Sequence, residues 1–216
     1  MQRNMNSFHK RCELLAPKLL KALKNRGFTA YYCSSAGEAV EKALSLIPEG
    51  TTVSWGGSLT LQEIGLTERI HQGNYTVIDR DRAATTKERF ELMRKALSCD
   101  TYLTSINAMS EDGVLVNIDN VGNRVAAIAF GPRNVIAIVG MNKVCKTVED
   151  AETRARTYSA PLNALSASVE KTPCALTGTC GDCKSDECIC AHIVKTRMCK
   201  RAGRIKVILV GESLGF

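Results

Sequence analysis

The chain has 216 residues, 29 Lys/Arg against 22 Asp/Glu for a formal net charge of +7, 44% hydrophobic residues and ten cysteines. That length suits one α/β domain with a sizeable core, and the mixed composition excludes global disorder, collagen and coiled coil. No apolar run reaches the roughly 18–20 residues of a membrane span and the first residues show no apolar signal core, so a cytoplasmic location with reduced thiols is expected.

Phe8, Cys12, Leu15, Leu19 and Leu23 recur at helical spacing up to Gly27, with Pro17 predicting a kink or restart. Phe28–Cys33 reads as a strand. Ser35 and Glu38 form a capping box for a helix with Ala39, Val40, Ala43, Leu44 and Ile47 inward. A short strand, Thr51–Trp55, runs into Gly56-Gly57-Ser58, and Thr60 with Glu63 predicts a second capping box. Val77–Asp79 is a strand, Thr85 and Glu88 cap a helix burying Phe90, Met93 and Leu97, and Thr101–Thr104 is a strand.

Val114–Ile118 and Val125–Phe130 read as two strands around a hairpin-like loop, Asp119–Arg124. Val135–Val139 is a continuous apolar run typical of a buried strand. A helix starts at Thr147 and reaches about Leu165, bent or broken at Pro161. His192–Met198 and Ile205–Val210 read as a C-terminal β-hairpin around Arg201-Ala202-Gly203. Strands alternating with helices predict an α/β fold with a mostly parallel sheet flanked by helices. No repeat or linker divides the chain, so one domain spanning 1–216 is expected, with a cysteine-rich insertion at 174–199.

Six of the ten cysteines fall between positions 174 and 199. Cys174, Cys180, Cys183 and Cys190 give the spacing C-x5-C-x2-C-x6-C, and Cys188 is a substitute ligand. A C-x2-C turn brings two sulfurs to one ion, and four thiolates suit a [4Fe–4S] cluster or a tetrahedral zinc. A single short knuckle favours the cluster over zinc, and a site without metal stays open. Residues 171–206 carry eight Lys/Arg against three acids, a basic surround that would balance thiolate charge. No aromatic interleaving or binding motif supports nucleic acid.

Gly56-Gly57-Ser58 places backbone N–H groups and a hydroxyl at a strand's C-terminal end, where open α/β sheets bind ligands. A tight turn without ligand is the alternative. Asn107 opens a polar loop containing Glu111 and Asp112, while Asn123 and Arg124 follow a few residues on. Arginine grips carboxylate or phosphate through two parallel N–H groups. Together Gly56, Gly57, Ser58, Asn107, Asn123 and Arg124 describe a pocket for a small carboxylate- or phosphate-bearing metabolite. Glu111 and Asp112 are candidate catalytic carboxylates, with solvated turn acids as the alternative.

Ser54-Trp55-Gly56-Gly57-Ser58-Leu59-Thr60, Asn107-Ala108-Met109-Ser110-Glu111-Asp112-Gly113-Val114-Leu115-Val116-Asn117, Gly122-Asn123-Arg124, Asn142-Lys143, Ala160-Pro161-Leu162-Asn163-Ala164 and Val210-Gly211-Glu212-Ser213-Leu214-Gly215-Phe216 resemble the LUD (lactate utilisation) domain family, of the lactate utilization protein B/C-like kind. The resemblance covers nearly the whole chain and implies a NagB/RpiA/CoA transferase-like fold. It also implies a link to lactate oxidation in company with other iron–sulfur subunits. Ser110-Glu111-Asp112-Gly113 resembles the loop that carries a glutamate nucleophile in CoA transferases. Two functions follow as expectations. One is an accessory redox protein of lactate or small 2-hydroxy acid utilisation, carrying a four-cysteine iron–sulfur site. The other is a metabolite-binding or acyl/CoA-type transferase-like protein with an anion pocket and a structural zinc. No dehydrogenase fingerprint or flavin motif is present.

Overall fold

The structure, a computed structural model, describes residues 2–216, with side chains from Ser7 onward. It opens with α1 (Gln2–Asn25), which passes Pro17 without restarting and buries Cys12, Leu19 and Leu23. β1 (Thr29–Cys33) follows, then α2 (Ala36–Ser45), capped by the Ser35 side chain as expected. β2 (Thr52–Trp55) leads into the short helices α3 (Leu59–Glu63) and α4 (Leu66–Gln72), and β3 (Thr76–Ile78) forms an edge. α5 (Thr86–Ala96) is capped by Thr85 and buries Met93 and Ala96; Phe90 is left exposed, against expectation. β4 (Thr101–Thr104) closes the first half.

The second half holds β5 (Ala108–Ser110), β6 (Leu115–Asp119), α6 (Asn123–Ala129), β7 (Asn134–Gly140), β8 (Val144–Cys145), α7 (Val148–Arg154), α8 (Ala160–Ser166), α9 (Pro173–Thr177), β9 (His192–Thr196) and β10 (Ile205–Val210). Six strands pair in parallel in the order β1-β10-β7-β4-β2-β3. Helices cover both faces. Tyr102, Val135 and Val207 face α1, α5 and α6, while Leu103, Ile136 and Ile208 face α2, α3 and α4. Neighbouring residues of one strand enter opposite cores because side chains alternate across a sheet. That is why the central strands read as unbroken apolar runs.

A smaller sheet, β8-β5-β6-β9, packs under α7 and α8. Ala151, Ala155 and Ala160 present only methyl groups to Ala108, Val116 and Ile118, which lets the helices approach closely. A π-helical turn, Ala155–Ser159, joins α7 to α8 just before Pro161. Proline lacks the N–H for an α-helical bond and its ring crowds the carbonyl four residues back; the wider turn gives it room.

Two sequence expectations fail here. Residues 123–129 form a helix, not a strand, because Asp119 supplies acceptors for the amides of Arg124 and Val125. Gly122 precedes them in the left-handed region at φ 85°, which turns the chain into the helix. The C-terminal hairpin is absent as well. β10 is buried between β1 and β7, whereas β9 pairs antiparallel with β6 in the small sheet. The Ile-Lys-Val-Ile-Leu-Val run, apolar at every position but Lys206, suits a central parallel strand. β9 is largely exposed, as an edge strand is.

Candidate functional site

Chain direction reverses beside β2. From β2 the chain moves through α3 and α4 to β3 on one side, whereas β4 is followed across the sheet by β7 and β10 on the other. The loops after β2 and β4 therefore part, leaving a crevice at the carboxyl ends of the strands, the ligand position of open α/β sheets. Gly56-Gly57-Ser58 lies at this crevice. Ser58 is the N-cap of α3, its Oγ accepting from the Leu61 N–H at 3.4 Å.

The glycines are required by two arginines. A Cβ on Gly56 would stand 2.6 Å from Arg124 Cδ and 2.8 Å from the Tyr102 hydroxyl; one on Gly57 would stand 2.5 Å from Arg80 Nη2. Arg124 donates from Nε to Asp119 Oδ1 at 2.9 Å and from Nη2 to the Ile118 carbonyl. Arg80 Nε is buried without a hydrogen-bond partner, and Asp81 Oδ1 stands 3.6 Å from it. Burial pulls the Arg80 guanidinium below its ordinary pKa; Asp81 opposes this, and the charges of Arg89 and Arg124 add to it. Two guanidinium groups beside one glycine loop repel each other, and an anion between them relieves that repulsion.

Lys143 is the residue that spacing alone did not single out. It follows β7, is 3% exposed, and donates from Nζ to Thr60 Oγ1 at 2.9 Å and Ser105 Oγ at 3.0 Å. Burial, with the charges of Arg154 and Arg124 against that of Glu63, lowers its pKa to about 7. Thr60 and Glu63, expected to cap α3, are drawn into this cluster instead. Glu63 Oε2 accepts the Gly215 N–H at 2.6 Å. The signal was present in the Asn142-Lys143 pair at a strand end, but nothing in the sequence shows which hydroxyls would meet the amine. A cavity of about 500 Å3 is lined by Asn142, the residue before Lys143, with Asp150, Arg154, Tyr158 and Ser213; the buried Lys143 amine is set behind that wall. A second cavity, of about 580 Å3, lies beyond β2 and β3, where His71 Nε2 stands 3.0 Å from Asp79 Oδ2 and packs edge-on to Trp55.

The remaining expected residues are placed elsewhere. Asn107 Oδ1 accepts the Ile118 N–H at 2.9 Å, and its own carbonyl accepts from Arg154, so it ties β6 to α7. Asn123 starts α6 beside Arg124. Glu111 pairs with Lys18 and Lys146, and Asp112 with Arg26 and the Ser110 hydroxyl. Hydrogen bonds from Lys18 and Lys146 hold the Glu111 carboxyl below its usual range; Ser110 and then Arg26 do the same for Asp112, against burial in both cases. Both acids follow β5, next to Leu115 at the start of β6, whereas Arg124 meets Asp119 at its end. Four residue steps of strand, about 13 Å, separate those ends.

The four-cysteine expectation is corrected. Among the described residues no group of three or more His, Cys, Asp or Glu side chains is arranged to hold a metal ion. Cys174 Sγ shares a hydrogen bond with the Thr172 hydroxyl at 3.2 Å, and Cys183 Sγ accepts one from Ser185 at 3.9 Å. Cys190 packs against the core under the small sheet. Burial first, then its neighbours Cys188, Cys180, Cys174 and Cys183, push its thiol up to about 12. The sulfurs share a neighbourhood without a coordination geometry. Neither a [4Fe–4S] cluster nor zinc fits Cys174, Cys180, Cys183 and Cys190. The iron–sulfur redox role and the structural zinc expected from their spacing fall with this. All ten cysteines are free thiols.

Fold and site define an open parallel α/β protein with two arginines packed on a glycine loop at its switch point. The chain belongs to the LUD domain family, whose model matches residues 16–210. Its fold is similar to the crystal structure of a DUF162 family protein from Deinococcus radiodurans, at 14% sequence identity and a TM-score of 0.52, covering 92% of this chain and 97% of that one. No match was found among curated proteins. Among the described residues no helix is long and apolar enough to cross a membrane.

Proposed function

We propose that this chain is a single-domain protein of lactate metabolism, with a NagB/RpiA/CoA transferase-like scaffold, that binds a small carboxylate- or phosphate-bearing metabolite at the switch point. The observation that carries this reading is the convergence of Arg80 and Arg124 on the Gly56–Gly57 loop. Arg124 is oriented by Asp119, and its Nη1 is uncommitted among the described residues. Arg80 Nε is buried and lacks a hydrogen-bond partner, which costs about 1–3 kcal/mol unless a ligand satisfies it. Family membership supports lactate-class acids as the first ligands to try. Tyr102 closes one wall with its hydroxyl.

Calorimetric titration with L-lactate, pyruvate and inorganic phosphate tests the reading. Binding by wild type that weakens at least tenfold in both Arg80→Met and Arg124→Gln supports it. Equal affinity in wild type and both variants, or no binding of any of the three, overturns it.

A further inference from the structure

Lys143 is a buried amine with no carboxylate in ion-pair range among the described residues, set at the carboxyl edge of the central sheet. Its neighbours are hydroxyls. Thr60 Oγ1 and Ser105 Oγ each accept from Nζ, and each is placed to donate onward, Thr60 to the Leu214 carbonyl at 3.5 Å and Ser105 to the Ile106 carbonyl at 3.5 Å. A lysine held only for structure is normally paired with a carboxylate when it is buried this far. Here the charged groups around it are Arg154 at the end of α7, Arg124 on α6 and Glu63 on α3, and the Glu63 carboxylate is already engaged by Gly215. The two cations and the loss of solvent favour the neutral amine, which is the nucleophilic form.

The adjoining cavity supplies the second element. Arg154 lines it, anchored from Nη1 to the Asn107 carbonyl at 2.9 Å and the Ser159 hydroxyl at 2.8 Å, with Tyr158 under its guanidinium at 5.0 Å. A guanidinium fixed this way is a preformed grip for a carboxylate. We propose that Lys143 is a reactive amine that condenses with the carbonyl of a small 2-oxo acid whose carboxylate is held by Arg154.

The step balances without a further reactant. The neutral Nζ attacks the carbonyl carbon, a C–N bond forms, and the carbonyl oxygen takes up a proton to give a carbinolamine. Loss of that hydroxyl as water leaves an imine, so amine and ketone become imine and water. Thr60 and Ser105 are the hydroxyls placed to pass protons to and from the nitrogen. Gly215 roofs the amine, and a Cβ there would stand 3.4 Å from Nζ. Its carbonyl accepts from Asn142 Nδ2 at 3.2 Å and its N–H donates to Glu63, while the Leu214 N–H donates to Asn142 Oδ1 and the Leu214 carbonyl accepts from Thr60, so four side-chain hydrogen bonds hold the segment that a substrate must displace to reach Nζ.

The proposal rests on the reading of this sheet edge as a metabolite site, and one experiment separates the two. The full chain is incubated with pyruvate and cyanoborohydride between pH 6 and 10, and adducts are located by peptide mass spectrometry. Pyruvate binding is followed calorimetrically in parallel. The expected result is a reduced adduct at Lys143 at least tenfold above the average surface lysine, with a half-maximum near pH 7. Lys143→Arg, which keeps a long cation, loses that adduct. Should the variant fail to fold, the site map of the wild type decides alone. Pyruvate binding without enrichment at Lys143, or a half-maximum near the ordinary lysine range, overturns the imine and leaves the metabolite site standing. No binding of pyruvate, lactate or phosphate overturns both.

Discussion

Asp119 and Arg124 are joined twice: Asp119 Oδ1 accepts from Arg124 Nε and Oδ2 from the Arg124 backbone N–H, both at 2.9 Å. One carboxylate thus does two things. It satisfies the first amides of α6, where Gly122 offers no side chain to cap them, and it aims the guanidinium at Gly56. Helix N-termini leave amides that must find acceptors, and a buried ion pair is costly to break from one side. Asp119→Ala is expected to lower unfolding free energy by about 3–5 kcal/mol, measured by urea denaturation. Asp119→Asn, which keeps an acceptor for the amides, recovers part of that loss but not the anion affinity.

The other end of α6 is held by Arg204. Its guanidinium, almost completely buried, donates to the carbonyls of Ala127 at 2.7 Å, Ile128 at 2.6 Å and Pro132 at 3.0 Å. A helix ends with unpaired carbonyls, and here one side chain from the start of β10 takes two of them. Arg204→Met fills similar space but leaves three buried acceptors without a donor. A loss of about 2–4 kcal/mol is expected, with the slope of the denaturation curve unchanged. Arg204→Lys reaches at most part of the set, so an intermediate stability is expected from the same measurement.

These two contacts show what could be read in advance and what could not. The parallel sheet was legible because β7 and β10 are largely apolar on both faces, and the caps at Ser35 and Thr85 were legible because cap and amide lie three residues apart. The glycine loop was legible for the same local reason. α6 was misread as a strand because Val-Ala-Ala-Ile-Ala-Phe satisfies either pattern, and the residue that decides, Asp119, acts through tertiary geometry. Thr60 and Glu63 had the spacing of a capping box, but Lys143 and Gly215 compete for them from 83 and 152 residues away. Cysteine spacing shows which sulfurs can approach one another. It carries no information on whether those sulfurs converge on one point, and among the described residues they do not.

Glu111 lies within reach of two lysine ammonium groups, but Lys18 and Lys146 are both well exposed. Solvent screening then limits the value of the arrangement to roughly 0.2–1 kcal/mol, whatever the lowered pKa suggests. With a carboxyl pKa below its ordinary 4.5 in the folded state, the stabilisation is complete above about pH 5. It fades as pH falls through the folded value, because the unfolded chain takes up the proton first. Thermal melts of wild type and Glu111→Gln should differ by a few degrees at most at pH 7 and draw together as pH falls through the folded value. A gap that does not narrow as the pH is lowered would show that the side chain acts through packing rather than charge.

Gly56→Ala probes the crevice with one methyl group. The new Cβ meets Arg124 Cδ at 2.6 Å, which a flexible side chain can yield, and the Tyr102 hydroxyl at 2.8 Å, which is fixed in the core. Overpacking of this size costs about 1–3 kcal/mol. Displacing the guanidinium from its place should also weaken anion binding at least tenfold, about 1.4 kcal/mol. Cooperative unfolding with reduced affinity is the expected pair of results. Unchanged affinity for lactate, pyruvate and phosphate would place the anion elsewhere.

Lys143 makes its own prediction about stability. Folded, the amine titrates at about 7; unfolded, near the ordinary 10.5. Between those values the unfolded chain binds one proton more, so stability rises with pH across that window and is level below it. The full span is on the order of 4 kcal/mol for a group this well buried. Lys143→Met has no such proton to release. The stability of wild type minus that of the variant should therefore climb from pH 7 to pH 10 in chemical denaturation. A difference independent of pH would mean that the amine is charged throughout, held by Thr60 and Ser105 as an ordinary cation, and it would remove the neutral nucleophile on which imine formation depends.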